Sequence, residues 1–372
     1  MIFIESSFFK KYLLPGFVFQ SVVIAGGYGT GREIIEYFLK YGPLGGLLGM
    51  VLISTVMWSV ILAVTFEFAR MFEAYDYRTF FKHLLGRGWF IFEFLYLYGM
   101  LLVLAVIGAA AGHLLEENFK IPYMAGVAIM FIAIGFLTFK GSGIIEKFLA
   151  SWSIVLYIVY GTIFVVTLTK FGTEVQENFA TLEMLPGWLK GGFKYALYNF
   201  CVIPAVMFCL IHIKTRKEAI SAGFLGGVIG ILPGLLFFIA VASQYPEVAS
   251  EEVPINVPMV YLLKKIGLTP LLIIFQIVFF GTLIETGTGF IHAFNERIQS
   301  VYHARGKEFP RRLRPVVAAI LLSIGLGISS FGLIALIDKG YGSLSWLVFV
   351  VFVIPLFTLG LYKMINHAKS TS

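Results

Sequence analysis

Charge is scarce in this chain, and its scarcity excludes most soluble architectures. Only 13% of the 372 residues are Asp, Glu, Lys or Arg, whereas about a quarter is usual in a soluble domain. The longest polar stretches, around 171–187, 244–257 and 303–314, are short enough to be connections. No separate soluble enzyme or binding domain is therefore expected.

Cysteine and the common catalytic motifs are also scarce or missing. Cys201 and Cys209 are the only cysteines and both lie in an apolar segment, so neither a disulfide framework nor a Cys-based metal site is expected. The sequence has no Walker motif, zinc spacing or G-x-S-x-G elbow. The glycines at 26–31 follow no strand, so they are not a dinucleotide fingerprint. We expect neither enzymatic activity nor an organic cofactor.

Long apolar runs are the main feature of the sequence. Apolar residues make up 59% of the chain, and the runs match the ~20 residues that cross a hydrocarbon core. They predict an all-α membrane protein with one domain, residues 1–372, embedded in a lipid bilayer. The predicted spans are 13–40, 44–70, 89–114, 122–139, 144–169, 188–212, 218–243, 269–303, 313–333 and 343–366.

The distribution of basic residues predicts the orientation. With the N-terminus inside, 19 of the 28 Lys and Arg residues fall in cytoplasmic segments, whereas the outer loops are acidic. This predicts a multi-pass membrane protein with both termini in the cytoplasm. The net charge of +7 then reflects topology rather than a nucleic-acid partner. Oligomeric state stays open, because small-residue faces occur within bundles and between subunits.

Two of the spans contain helix-breaking residues at mid-depth. The first has four glycines between Gly26 and Gly31, and the sixth has Pro204 beside Asn199. Interrupted spans at positions one and six of ten predict an inverted repeat, at about 10–170 and 188–366, with a substrate between the breaks. The alternatives are close helix packing at the glycines and a simple kink at the proline.

The eighth predicted span is too long for a bilayer. Its 35 residues would extend ~52 Å as a helix at about 1.5 Å per residue, so its end, 295–305, should project into the cytoplasm. The apolar piece 257–266, after Pro254 and Pro258, predicts a short helix over the outer surface.

Together these features resemble the amino acid–polyamine–organocation superfamily, which has the LeuT fold. The motifs Gly26-Gly-Tyr-Gly-Thr-Gly-Arg-Glu33, Thr282-Leu-Ile-Glu-Thr-Gly-Thr-Gly-Phe-Ile-His-Ala-Phe-Asn-Glu-Arg297 and Lys339-Gly-Tyr-Gly342 resemble more specifically the YkvI-type bacterial membrane proteins. The superfamily resemblance implies secondary transport of an amino acid, amine or nucleobase. The YkvI-type resemblance implies the fold but brings no assigned substrate.

Glu285 is the sharpest candidate for ion coupling. A carboxylate inside a membrane span usually faces a cavity or a partner, and Glu285 shares a helix face with Thr282 and Thr286. The resemblance implies that carbonyls of Val23 and Gly26 would complete a sodium site here. The coupling ion, sodium or proton, stays open. The alternative role for Glu285 is a structural ion pair with Arg32 or Lys194.

Candidate solute-binding residues gather at the two breaks. In the first span they are the backbone and side chains of Gly26, Gly27, Tyr28, Gly29, Thr30 and Arg32, and in the sixth they are Tyr198, Asn199 and Phe200. The resemblance adds Tyr96 in the third span, with Ser151 and Ser153 in the fifth as weaker additions. The alternatives are a structural pair of Arg32 with Glu36 or Glu285, and aromatics that face lipid or the core.

The resulting expectation is an ion-coupled symporter of a small organic solute that works by alternating access. A half-helix N-terminus and Arg32 favour an anionic group, whereas Glu285 and opened carbonyls favour a cationic one, so a zwitterion fits. The alternative is a nutrient-sensing receptor subunit, which would bind a solute at the same breaks without accumulating it.

Overall fold

Ten helical spans and two short connecting helices make up the described part of this computed structural model. The structure describes residues 6–24, 26–140, 142–250, 252, 254–303, 306–308, 310 and 312–371, excluding the side chains at 139–140, 142–154, 156, 296, 300–301, 303 and 371. No strand occurs in these residues. Six of their helices are long and apolar enough to cross a membrane, and two further apolar helices are shorter.

The first five spans and one connecting helix form the first half. The first span consists of Leu14–Val23, Gly26–Gly29 and Arg32–Tyr37, preceded by a π-helical turn at Phe9–Leu13. The next are the second span Pro43–Met71, the connecting helix Tyr77–Leu85, the third span Phe90–Phe119, the fourth Tyr123–Lys140 and the fifth Ser142–Ala180.

The second half repeats this plan with its own interruption. The sixth span begins as Trp188–Tyr198 and continues as 3-10 turns at Asn199–Ala205 and Met207–His212. There follow the seventh span Arg216–Ala242, the connecting helix Pro258–Ile266, the eighth span Thr269–His303, the ninth Leu313–Ser329 and the tenth Leu333–Ser370. The predicted interruptions in spans one and six are confirmed.

The predicted end of the fifth span, at 169, lies close to a kink at Phe171, beyond which a second helical piece continues to Ala180 where a polar connection was expected. The predicted start of the tenth span is wrong. It begins at Leu333 rather than at 343, directly after Gly332 at φ +81°. Lys339-Gly-Tyr-Gly342, which the predicted bounds left outside the span, therefore lies within it, at the end of a π-helical turn, Leu336–Tyr341.

Glycine geometry explains the break in the first span. Ile24 leaves helical geometry at φ −74° and ψ 78°, and Gly31 caps the last piece at φ +80°, a left-handed conformation that only glycine adopts without strain. The Thr30 hydroxyl donates to the Gly27 carbonyl at 2.6 Å and accepts from the Arg32 amide at 3.0 Å. Backbone groups freed by the break are thus partly satisfied by a neighbouring side chain.

A proline in the seventh span fixes that span to the first. Pro233 has no N–H, so the carbonyl of Ile229, four residues earlier, has no helical donor. The Gln20 side chain supplies that donor at 2.6 Å, and Tyr157 of the fifth span donates to the Gln20 oxygen at 2.8 Å. The first, fifth and seventh spans are therefore connected by a polar chain inside an otherwise apolar bundle.

Both described ends of the chain lie on one face of the bundle. Lys363 donates to the His83 carbonyl at 2.6 Å, His367 packs on Phe72 with ring centroids 5.2 Å apart, and Lys11 pairs with Glu218 at 2.7 Å. We name this the N-terminal face. The helix Pro258–Ile266 lies on the other, which we name the lid face.

Candidate functional site

A small cavity lies where the two interrupted spans meet. Its volume is about 20 Å³, space for about one water molecule. The residues that line it and carry the argument are Val23 and Glu33 from the first span, Tyr198, Asn199 and Cys201 from the sixth, Phe290 from the eighth and Tyr341 from the tenth. The third span also contributes to the lining, through Val103, so five spans converge beside both breaks.

Glu33 is the charged group of this cavity. Its side chain is only 2% exposed, and its carboxylate accepts a hydrogen bond from the Tyr198 hydroxyl. The carboxylate lies against Gly27, since a Cβ built there would be 2.1 Å from Glu33 Oε1. Gly27 therefore leaves the space that the carboxylate occupies at the break.

Aromatic rings enclose the Tyr198 side of the cavity. Tyr341 stacks on Tyr198 with centroids 4.6 Å apart, and Tyr37 lies 5.5 Å from the same ring. Asn199 also lines the cavity, with its amide nitrogen donating to the Tyr195 carbonyl at 2.9 Å. Its amide oxygen is the part of that side chain left to accept a bond.

The remaining glycine, tyrosine and threonine candidates of the first span make contacts elsewhere in the bundle. Tyr28 is fully buried against Phe237 of the seventh span at 5.5 Å, and its hydroxyl has no hydrogen-bond partner among the described residues. Gly29 packs on the ring of Phe279, and the Thr30 hydroxyl is engaged within the break. The piece Gly26–Gly29 is helical, so Gly26 is part of a short turn rather than of extended chain.

Arg32 lies outside the cavity, on the lid face. Its guanidinium pairs with Glu36 at 3.0 Å and donates to the Ile255 carbonyl at 3.4 Å, while Lys40 binds the other Glu36 oxygen. This is the structural pairing that the sequence left open. The Met259 amide donates to the Thr30 carbonyl at 3.1 Å. The segment 254–266, which we name the lid segment, is therefore attached to the first span at two points, Ile255 and Met259.

Two further aromatic candidates also lie away from the cavity lining. Phe200 faces Phe19 and Phe352, at centroid distances of 5.8 and 5.9 Å. Tyr96 stacks on Tyr77 at 6.4 Å, towards the N-terminal face. Ser151 and Ser153 lie outside the described side chains.

The predicted threonine face of the eighth span points at the first-span break. Phe279 contacts Gly29 and Phe290 lines the cavity beside Val23. Thr286 comes seven residues after the first and four before the second, so helical periodicity places it on the same face. The Thr282 and Thr286 hydroxyls donate to carbonyls four residues earlier, at 2.9 and 3.0 Å. Each keeps lone pairs that can coordinate a cation.

Glu285 lies to one side of that face. It is half-buried and within electrostatic range of Tyr157 on the fifth span. The two acidic residues therefore lie at different positions: Glu33 lies in the cavity, and Glu285 lies beside the fifth span.

The N-terminal face has an ion pair of its own. Arg297 of the eighth span pairs with Glu93 of the third, and Tyr77 donates to Glu93 at 2.9 Å. The Arg297 guanidinium also lies 4.8 Å from the Tyr77 ring centroid. Each face of the bundle therefore has an ion pair between charged side chains, Arg32–Glu36 on the lid face and Arg297–Glu93 on the N-terminal face.

A larger crevice of about 300 Å³ lies between the first, fifth and seventh spans. Phe17 and Leu232 on its rim are 43% and 47% exposed on the outside of the bundle. Apart from Gln20, Tyr157 and Tyr160 its lining is apolar. It therefore opens on the surface that lipid covers, and the small cavity is the better solute site.

Of the cavity residues named above, sequence reasoning missed four as site residues: Glu33, Cys201, Phe290 and Tyr341. Tyr341 was part of the glycine motif 339–342, which carried the family resemblance but did not indicate that this residue lies at the cavity. Glu33 was passed over in favour of Arg32, its neighbour.

Comparisons with known proteins agree with this architecture. No protein-family model matches the chain. It is 27% identical over 316 residues, which is 84% of this chain and 87% of that protein, to YkvI of Bacillus subtilis (strain 168), described as an uncharacterized membrane protein.

Solved transporter structures share the fold. MhsT in complex with L-phenylalanine matches with a TM-score of 0.60 and 16% identity over 90% of this chain and 87% of that one. A Na⁺-coupled sialic acid symporter matches at 0.61 and 12% identity, over 93% and 79%. A manganese transporter of Eremococcus coleocola matches at 0.52 and 14%, over 93% and 78%. The predicted LeuT fold, five plus five spans with the first and sixth broken, is therefore confirmed.

Proposed function

We propose that this multi-pass membrane protein is a secondary active transporter of a small organic solute in a bacterial plasma membrane. The observation that carries the proposal is the small cavity at the two breaks, together with an ion pair on each face of the bundle that we interpret as a closure. Alternating access requires such a site between two closures that open in turn. The solute-binding groups are the cavity residues, chiefly Glu33, Tyr198 and Asn199.

The described contacts correspond to an occluded state. Space for about one water cannot hold an amino acid or amine, so loading must separate the converging spans. The 3-10 turns of the sixth span and the break at Gly31 are the segments that can change backbone angles. The ion pairs Arg32–Glu36 and Arg297–Glu93 are the contacts that must rearrange on the lid face and the N-terminal face.

Orientation follows from the basic residues. The N-terminal face carries Lys11, Arg70, Lys214 and Lys363, so we assign it to the cytoplasm. The lid segment with Pro258–Ile266 then covers the external entrance.

Coupling to an ion rests on the eighth-span face. Thr282 and Thr286 face the first-span break beside Val23, so their hydroxyls and nearby carbonyls offer the oxygen ligands that sodium takes. Glu285 is one helical step away and can supply negative charge to the same region. Sodium is therefore the first ion to test.

A nutrient-sensing receptor subunit is the competing function. It would use the same cavity and close around the same solute, but one closure would stay shut throughout. The presence of a polar closure on each side favours transport.

Flux in proteoliposomes distinguishes the two functions. Purified protein would be reconstituted and offered radiolabelled amines, amino acids and nucleobases under a sodium or a pH gradient. Accumulation that collapses with an ionophore supports transport. Saturable binding without accumulation supports the receptor.

Thr286→Val tests the ion site within the same assay. It should reduce sodium stimulation at least about tenfold while leaving the melting temperature within a degree or two. Thr162→Val is the matched control, since its hydroxyl makes the same bond to a carbonyl four residues earlier on an exposed face. Equal sodium stimulation in both variants would remove the threonine face from the coupling mechanism.

A further inference from the structure

Glu33 differs from the other fully buried carboxylates in the described spans. Those others have a basic partner: Glu36 has Arg32 and Lys40, Glu67 has Arg70 and Glu218 has Lys11. Glu33 is less exposed than Glu36, Glu67 and Glu218, and no ion pair joins it to a described basic residue. Its described hydrogen-bond partner is the Tyr198 hydroxyl.

A charged carboxylate in this environment is costly. Burying an ion without a countercharge is unfavourable by several kcal/mol or more, and one hydroxyl does not replace the water that Glu33 loses. The cavity must therefore contain a positive charge for this carboxylate, either a proton on its oxygen or a small cation beside it.

The cavity lining suits a cation and offers little to an anion. The Glu33 carboxylate, the Tyr198 hydroxyl and the Asn199 amide oxygen lie in this lining, and such oxygens can accept hydrogen bonds from an ammonium group. None of the residues lining the cavity is Lys, Arg or His. Arg32, expected from the sequence to take a solute carboxylate, is bound to Glu36 and Ile255 instead.

We propose that Glu33 selects one monovalent cation at a time, a proton when the occluded site is empty and the ammonium group of the solute when it is loaded. The solute is then a small primary amine without a carboxylate, rather than the zwitterion expected from the sequence. This inference rests on the proposed function for its transport consequence, but binding alone can test it.

The exchange is balanced in charge and protons. A protonated Glu33 releases one proton to water as an R–NH₃⁺ group enters, and the carboxylate then pairs with that ammonium. The titratable groups around Glu33 are the tyrosines 28, 37, 195, 198 and 341 together with Cys201, and none of these carries positive charge. Lowering the pH should therefore weaken amine binding through competition for Glu33.

Calorimetry on the purified full-length protein tests this directly. Ethylammonium, alanine and propionate would be titrated in buffers of different ionisation enthalpy, which reports protons released on binding. We expect ethylammonium to bind at least about tenfold more tightly than the other two, with release of up to one proton. Failure of ethylammonium to bind at millimolar concentration, or tighter binding of alanine, would overturn the proposal.

Variants assign the effect to Glu33. Glu33→Gln should weaken ethylammonium binding at least about tenfold and abolish both proton release and pH dependence. Glu67→Gln, a buried but paired carboxylate, should leave binding unchanged. Tyr198→Phe should weaken binding several-fold, whereas Tyr195→Phe should not, because the Tyr195 hydroxyl has no described partner. Unchanged binding in a folded Glu33→Gln protein would refute the assignment.

The outcomes also separate this inference from the transport proposal. Ethylammonium that binds as expected but is not accumulated in proteoliposomes would refute transport and leave the Glu33 assignment standing. Accumulation of alanine without ethylammonium binding would do the reverse.

Discussion

Gly27→Ala should displace the Glu33 carboxylate without changing any polar group. The added Cβ would lie 2.1 Å from Glu33 Oε1 and 2.9 Å from Glu33 Cδ, both closer than real Cβ contacts allow. Glu33 must then rotate away, which removes its hydrogen bond from Tyr198. Overpacking of this kind costs about 1–3 kcal/mol, and loss of the hydrogen bond of a protonated carboxyl group costs about 0.5–1.5 kcal/mol.

Part of that cost is recovered, because alanine is favoured over glycine within a helix by roughly 0.5–1 kcal/mol. We therefore expect Gly27→Ala to lower the free energy of unfolding by about 0.5–4 kcal/mol. Thermal denaturation in detergent, read alongside ethylammonium binding, measures both consequences. Gly289→Ala is the matched control, since nothing lies within 4 Å of its Cβ position and it should be neutral or stabilising.

A second substitution tests the geometry itself. Glu33→Asp shortens the side chain by one methylene, so in the Gly27→Ala background it should restore part of the lost stability. A Gly27→Ala protein with wild-type melting temperature and binding would show that the carboxylate does not lie over Gly27. The description of the cavity would then be wrong.

Two other predictions concern the packing around the break. Gln20→Ala should destabilise the protein by about 1–3 kcal/mol, because it leaves the Ile229 carbonyl and the Tyr157 hydroxyl without their partners. In the Pro233→Ala background a helical N–H can satisfy the Ile229 carbonyl, so chemical denaturation should show a smaller loss of stability there. Equal losses in the two backgrounds would contradict this explanation. Gly31→Ala should cost about 1–2 kcal/mol because position 31 is left-handed, and a thermal melt that matches wild type would refute that backbone argument.

Much of the fold could be predicted because its signals are local. A membrane span needs a long apolar run, and a break needs glycine or proline, so spans one and six were identified from their own residues. The eighth span is a regular helix through this region, so periodicity places Thr282 and Thr286 on one face, but it did not show that Glu285 lies beside Tyr157 of the fifth span. The start of the tenth span was predicted wrongly, because Gly340 and Gly342 lie within a helix that includes the π-helical turn Leu336–Tyr341.

The candidate site was harder to predict because helical phase is lost at the break. Gly31 at φ +80° resets the direction of the side chains that follow, so periodicity could not tell whether Arg32 or Glu33 faces the cavity. Tyr341 reaches the cavity through contacts with residues more than a hundred positions away, such as Tyr198. Counting along one span cannot reveal a contact between distant spans.

Cys201 offers the most direct test of alternating access at this cavity. Cys209→Ala leaves it the only cysteine of the chain, and a membrane-impermeant maleimide can be applied to right-side-out or inside-out vesicles. We expect slow labelling in the parent protein, faster labelling from the lid face after Arg32→Ala, and faster labelling from the N-terminal face after Arg297→Ala. Opening from the same face in both variants, or no change in either, would contradict a central site closed alternately from two sides.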